Sequence, residues 1–211
     1  LGFFITFEGI EGTGKSTQMN LLGDYLKKKG RDVLAVREPG GTRVGEKIRA
    51  VLLNSDSLGI DPWAELFLYE ACRAELVKEV IAPALKAGKT VVSDRFVDST
   101  VAYQGYGRGL DVKTIEGMNR QATRDITPDI TFLIDIAPED GLKRAFKRIN
   151  NARGPKDDRF EKEDIAFHRR VRQGYLEIAV KDPGRVRVID GGREISLIHK
   201  EICDIMDKAV S

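Results

Sequence analysis

Cysteine is scarce: Cys72 and Cys203 stand far apart in 211 residues, which excludes a disulfide framework and a cysteine-based zinc spacing. Long apolar runs are missing too. Stretches such as Phe132-Leu133-Ile134 fall far short of the roughly 20 residues that a membrane-crossing helix needs. Nor does one sign of charge dominate. The 35 basic and 33 acidic residues leave a net +2, so no global field for polyanions is expected and any attraction to phosphate must be local. There is no internal repeat, no low-complexity tract and no basic-then-apolar leader, since Leu1 to Phe7 already read as a buried strand. What is present, 41% hydrophobic and 32% charged residues, is too apolar for an obligately disordered chain and too charged for a membrane bundle. The expectation is a soluble, cytoplasmic, globular chain with one domain over 1–211 and no nucleic-acid or membrane partner.

Short apolar runs alternate with longer helical patterns, the signature of an α/β protein with a parallel sheet. Five runs read as strands covered on both faces: Phe3–Phe7, Val33–Val36, Thr90–Ser93, Ile130–Ile134 and Val186–Ile189. Helices are predicted from about Lys15 to Lys29, with Gly30 as the stop, and from Pro62 to about Lys86, with Asp61 as the N-cap and Pro83 as a kink or break. Further helices are predicted at Asp111–Asp125 and Pro138–Arg148, around Phe167, Val171, Tyr175 and Ile178, and around Ile195, Ile198, Ile202 and Ile205. Asn150 to Asp158, NNARGPKDD, reads as a loop.

Gly9-Ile10-Glu11-Gly12-Thr13-Gly14-Lys15-Ser16 matches G-x-x-x-x-G-K-[ST] between a strand and a helix. Glycines let the backbone close around phosphate oxygens, and the N–H groups and dipole of the following helix favour the anion. Lys15 would reach the β- and γ-phosphates, and the Ser16 hydroxyl would coordinate Mg²⁺. Two more strands end in charged or glycine-rich strings, Arg37-Glu38-Pro39-Gly40-Gly41-Thr42 and Asp94-Arg95-Phe96, at the sheet edge where such folds bind ligands. Alone, Asp94-Arg95 reads as a surface ion pair; at a strand end beside a phosphate loop it reads as a metal-shell carboxylate and a second phosphate cation. Tyr69 and Arg73 share a helix face. They fit a base-binding pair, but also a core tyrosine beside a solvated arginine. Lys143 to Lys162 holds eight basic and three acidic residues, which fits either a solvated face or a closing lid.

The strings FEGIEGTGKST, REPGGT, LFLYEACRAELV, DRFVDSTVAYQGYGRG and PDITFLIDI together resemble the thymidylate kinase family in its bacterial form. In that form the phosphate loop carries an acidic residue, here Glu11, and lacks an arginine, with Thr13 at the arginine-free place; the lid supplies the catalytic arginine instead. The resemblance implies an α/β, three-layer P-loop nucleoside monophosphate kinase fold: a five-stranded parallel sheet flanked by helices, with a short lid at about 143–162. It implies ATP and Mg²⁺ as cofactors, dTMP as substrate and a homodimer formed through helices. By position, Gly9, Ile10, Glu11, Gly12, Thr13, Gly14, Lys15, Ser16 and Thr17 would hold ATP, while Ser16 and Asp94 would hold the metal. Lys15, Arg95 and the lid residue Arg153 would be catalytic, with Arg148 and Arg159 as other lid candidates. Arg95 and Arg49 would bind the dTMP phosphate. Tyr69 would stack on thymine, Arg73 would bond a thymine carbonyl, Gln104 would read the base edge and Thr100 would line the base pocket. Tyr103 would lie under the deoxyribose and exclude a 2′-hydroxyl, and Glu11 would meet the 3′-hydroxyl. The rival readings are another pyrimidine nucleotide kinase, acting on dUMP or CMP, and a nucleotide switch; the chain has no N-K-x-D string of a guanine switch.

Overall fold

The computed structural model describes residues 2–54, 59–151 and 159–209. Its centre is a five-stranded sheet in which every pairing is parallel. The strands are β1 (Phe3–Glu8), β2 (Val33–Arg37), β3 (Thr90–Asp94), β4 (Ile130–Asp135) and β5 (Val186–Asp190), in the spatial order β2-β3-β1-β4-β5. From β1 the chain goes to the edge strand β2, returns to place β3 between the two, and then crosses to β4 and β5 on the other side. The switch point therefore lies at the carboxyl end of β1, where a parallel sheet opens a crevice.

Alternation along the strands divides the core between two faces. Ile5 and Phe7 of β1, with Phe132 and Ile134 of β4, pack against α1 (Lys15–Lys28) and α9 (Ile195–Ala209) through Leu22, Leu26, Ile198, Ile202 and Met206. The intervening residues face the opposite layer. There Phe4 and Val91 meet Leu76, Val77 and Ile81, while Leu133 and Val186 meet Phe167, Val171 and Tyr175. That layer comprises α2 (Arg43–Leu53), α3 (Pro62–Leu76), α4 (Ala82–Lys86), α5 (Val97–Thr100), α6 (Val112–Thr123), α7 (Pro138–Asn151) and α8 (Ile165–Lys181).

Two helices depart from regular α geometry. Between α3 and α4 the residues Val77–Ile81 form a π-helical stretch. Pro83 has no N–H to donate one turn back and its ring crowds that carbonyl, so the irregularity expected from the proline is a widened turn and not a break. A second π-helical stretch, Val101–Gly107, continues α5. The Asp61 carboxylate caps α3 by accepting from Trp63 N at 2.9 Å and Ala64 N at 3.2 Å, with Pro62 at the first helical position. α7 extends through Asn151, three residues past the expected end at Arg148 and two residues into the stretch expected as loop.

Close approach at the sheet edge positions the phosphate loop. A Cβ on Gly12 would stand 2.0 Å from the Gly141 carbonyl oxygen, and one on Gly141 would stand 2.5 Å from the Glu11 carbonyl oxygen. The loop thus rests directly on the α7 backbone. Behind it, the last residue of β1, Glu8, is wholly buried. Its carboxylate accepts from Phe96 N (2.7 Å), Ser99 Oγ (2.7 Å) and Tyr175 Oη (2.8 Å), which ties the ends of β1 and β3 to α8. Burial, helped by the charge of Asp98, pushes the Glu8 carboxyl up to about 7, against the opposing pull of Arg95, Ser99 and Tyr175.

Two outcomes test this account. Gly141→Ala should cost about 1–3 kcal/mol in urea denaturation, because backbone on both sides must move. Gly23→Ala, whose added carbon meets only Val33 Cγ1 at 4.0 Å, should be neutral or stabilising. Glu8 holds its proton in the folded state over the interval from 4.5 to about 7, where the unfolded chain has released it. Its contribution is thus complete below that interval and lost as pH rises through it. The stability difference between wild type and Glu8→Gln should therefore shrink by up to about 3 kcal/mol between pH 5 and 7.5.

Candidate active site

The carboxyl ends of β1, β2 and β3 open on a cleft of about 500 Å³, within the usual range for a small-molecule site. One wall is the phosphate loop. Gly14, at φ 94°, caps α1 in a left-handed conformation that glycine adopts without Cβ strain, leaving the first N–H groups of the helix free to face an anion. Lys15 folds along the loop. Its Nζ donates to Gly9 O at 2.9 Å and Ile10 O at 2.7 Å. Burial, reinforced by the positive charge of Arg95, lowers the Lys15 ammonium to about 8, with Asp94, Glu11 and Glu8 acting in the other direction.

Ser16 Oγ donates to Asp94 Oδ2 at 2.6 Å, joining the loop to the end of β3. These are oxygen donors, which suit a hard divalent cation. Among the described residues no three His, Cys, Asp or Glu side chains gather to hold a metal unaided. A cation bound at Ser16 and Asp94 would therefore take most of its ligands from phosphate and water, as Mg²⁺ commonly does.

Arg95 points into the same cleft. Its φ is 72°, an uncommon conformation for a residue with a Cβ, of the kind that concentrates at functional sites. The backbone N–H is anchored to Phe7 O at 3.0 Å. The guanidinium donates to Gly9 O (3.0 Å), Ser99 Oγ (3.2 Å), Tyr175 Oη (3.0 Å), Glu11 Oε1 (3.2 Å) and Tyr103 Oη (3.1 Å). Tyr103 also donates a short hydrogen bond to the same Glu11 oxygen. Glu11 is buried, which alone would raise its pKa. The close approach of His168 and the charges of Arg95 and Lys15 outweigh this and bring the carboxyl down to about 2.

The lining of the cleft is also aromatic and amide-bearing. Tyr69, Thr100, Tyr103 and Gln104 all line it, and so does Arg49 from α2, which donates from Nη1 to Pro39 O at 2.8 Å. Tyr103 and Gln104 are consecutive, and both lie on the π-helical stretch Val101–Gly107.

The arginines expected at the base and in the lid do not all reach the cleft. Arg73 is 1% exposed and stands behind the wall. It donates to Glu38 Oε2 (2.9 Å), Glu70 Oε1 (2.8 Å), Thr100 Oγ1 (3.2 Å), Asn119 Oδ1 (2.6 Å) and Phe96 O (3.0 Å), because two buried carboxylates claim its charge. One of these partners, Thr100, itself lines the cleft. Arg159 is likewise enclosed, bonded to Leu52 O and paired with Glu65 Oε2 at 2.6 Å, which removes it as a lid cation facing the loop. Arg148 lines the cleft, with its side chain 64% exposed and 3.4 Å from Glu161. Arg153 lies outside the described residues.

The sequence reading missed Glu8, Glu65, His168 and Tyr175. Glu65 had a usable signal, since it precedes Tyr69 and Arg73 at the same spacing of four. His168, on α8, brings Nδ1 to 3.3 Å from Glu11 Oε2 across 157 positions of sequence, and no local pattern announces that.

Residues 7–202 match the family model described as thymidylate kinase. The chain is 50% identical over 195 residues to a thymidylate kinase of Geotalea uraniireducens, covering 92% of each chain. It is 48% identical over 207 residues to that of Caldanaerobacter subterraneus, covering 98% of this chain and 96% of the other. The solved structure of thymidylate kinase from Ehrlichia chaffeensis superposes with a TM-score of 0.79 at 38% identity over 98% of both chains. With the parallel sheet, the phosphate loop and the Asp94-Arg95 turn converging on one cleft, the chain belongs to the thymidylate kinase family.

Proposed function

We propose that the chain transfers the γ-phosphoryl group of ATP to the phosphate of dTMP, giving dTDP and ADP. The observation that carries this reading is the Arg95 guanidinium, 3.0 Å from Gly9 O of the phosphate loop. A second anion-binding group thereby faces the first across one cleft. Bound there, Mg²⁺ held by Ser16 and Asp94 would draw charge from the phosphate oxygens.

The work of the chain itself is alignment and neutralisation. Gly9 to Thr17 wrap the ATP phosphates, and Lys15 exchanges its loop carbonyls for phosphate oxygens. Arg95 and Arg49 hold the dTMP phosphate in line. A phosphate oxygen of dTMP forms the new bond to Pγ as the bond from Pγ to the bridging oxygen of ADP breaks. No general base is required, because the acceptor is already an anion. Tyr69 stacks on thymine, and Thr100 and Gln104 border the base. Tyr103 lies under the sugar and Glu11 beside its 3′-hydroxyl. Residues of about 143–162 act as the lid over a single catalytic domain, with Arg153 as its catalytic cation and Arg148 at the cleft edge; closure excludes water that would waste ATP.

The working unit is proposed to be a homodimer. Val44 and Val51 of α2 and Trp63 and Phe67 of α3 are large apolar residues left exposed, Phe67 at 56%. Their helical spacing puts each pair on one face of its helix, and α2 packs against α3. A cytoplasmic location is proposed from the two free, buried thiols, which suit a reducing compartment. No helix of the described residues is long and apolar enough to cross a membrane.

An ADP-release assay with ATP and Mg²⁺ against a panel of nucleoside monophosphates should give the highest kcat/KM for dTMP; strong turnover of CMP or AMP with none of dTMP would sink the substrate assignment. Arg95→Ala should lower dTMP kcat/KM by about 3 kcal/mol, roughly two orders of magnitude. Phe67→Glu should move the chain from dimer to monomer in analytical ultracentrifugation, since a charge at a fully desolvated contact is costly.

A further inference from the structure

Gln104 carries an amide whose two ends are chemical opposites, so its orientation decides which base edge it accepts. Its Nε2 donates to Glu65 Oε1 at 2.7 Å. Glu65 sits on α3, is 0% exposed and serves three partners at once. Arg159 Nη1 lies at 2.6 Å from its Oε2, and Arg108 donates from Nη2 at 3.1 Å to Oε2 and from Nε at 3.2 Å to Oε1. Burial alone would favour the neutral acid, but the hydrogen bonds and charges of Arg108 and Arg159 outweigh it and hold the carboxyl below its usual range. An ionised carboxylate only accepts hydrogen bonds. The amide of Gln104 therefore has one permitted orientation, NH₂ toward Glu65. Gln104 lines the cleft, and among the described residues no group donates to its Oε1. An acceptor is thus what the side chain offers to a ligand.

We propose that Glu65 is a specificity-determining positioning residue, which by fixing the Gln104 amide commits the base pocket to pyrimidines that carry a hydrogen on N3 and turns it against cytosine. The inference rests on the kinase reading above. Thymine and uracil present N3–H, a donor matched to Oε1. Cytosine presents a lone pair at N3, so lone pair would face lone pair in a buried site, and such mismatches are penalised heavily because the group of the site is left unpaired.

The test compares kcat/KM for dTMP and dCMP on the same enzyme preparation. In Glu65→Gln the replaced side chain both donates and accepts, so the Gln104 amide is free to turn over. The dTMP:dCMP ratio should fall by about tenfold or more. Being a ratio, it does not change with the fraction of enzyme that is folded, so a loss of stability from the orphaned Arg108 and Arg159 cannot imitate it. On a Gln104→Leu background the same Glu65→Gln change should leave the ratio within about twofold, since the effect runs through Gln104. A fall of under tenfold, or an equal fall without Gln104, overturns the proposal. Should Glu65→Gln fail to fold, the wild-type enzyme decides with N3-methyl-dTMP: turnover at least about tenfold below dTMP is expected, and anything closer overturns the inference. Absence of dTMP turnover by wild type would instead overturn the kinase reading itself.

Discussion

Lys15, buried, and Arg95, half-buried, bring two cations into one cleft, and the rest of the site is arranged around their mutual repulsion. Arg95 is itself one of the causes that lower the Lys15 ammonium. Three acidic side chains hold the pair together. Glu11 meets Arg95 directly, Asp94 accepts from Ser16 at the end of β3, and Glu8 anchors the turn from behind. A phosphate brought between these cations would supply from outside the negative charge that the protein supplies from within. Cationic groups preorganised toward developing charge are the main electrostatic resource of a phosphoryl-transfer site.

Mechanical support follows the same lines. Gly12 and Gly141 let loop and α7 meet backbone to backbone, so a movement of α7 is felt at the phosphate loop. On the other flank, Glu65 joins Gln104 in the cleft wall to Arg159. Gln104 in the cleft wall is therefore connected to Arg159 through a short chain of charged contacts.

Much of this was legible in the sequence, for identifiable reasons. The five strands are continuous apolar runs bounded by turn residues, and the Gly9–Ser16 string and the Asp94-Arg95 turn carry their chemistry locally. Pro83 announced an irregular turn. Legibility failed where a side chain has competing partners. Nothing near Arg73 in sequence says that Glu38 and Glu70 will claim it, nor that Arg159 will turn inward to Glu65. The end of α7 was misread because the polar residues Asn150 and Asn151 look like loop, although Ile149 is buried and holds the helix down past Arg148. His168 beside Glu11 is a product of topology alone.

The π-helical stretch Val101–Gly107 has an evolutionary consequence. A widened turn carries one residue more than regular α pitch would, and that surplus lets the adjacent Tyr103 and Gln104 share a cleft wall. Deleting a single residue there would restore ordinary pitch without breaking the helix. The side chains of Tyr103 and Gln104 would then rotate together out of their shared wall, so one deletion would change the lining of the cleft at two adjacent positions while the sheet and the phosphate loop stayed as they are.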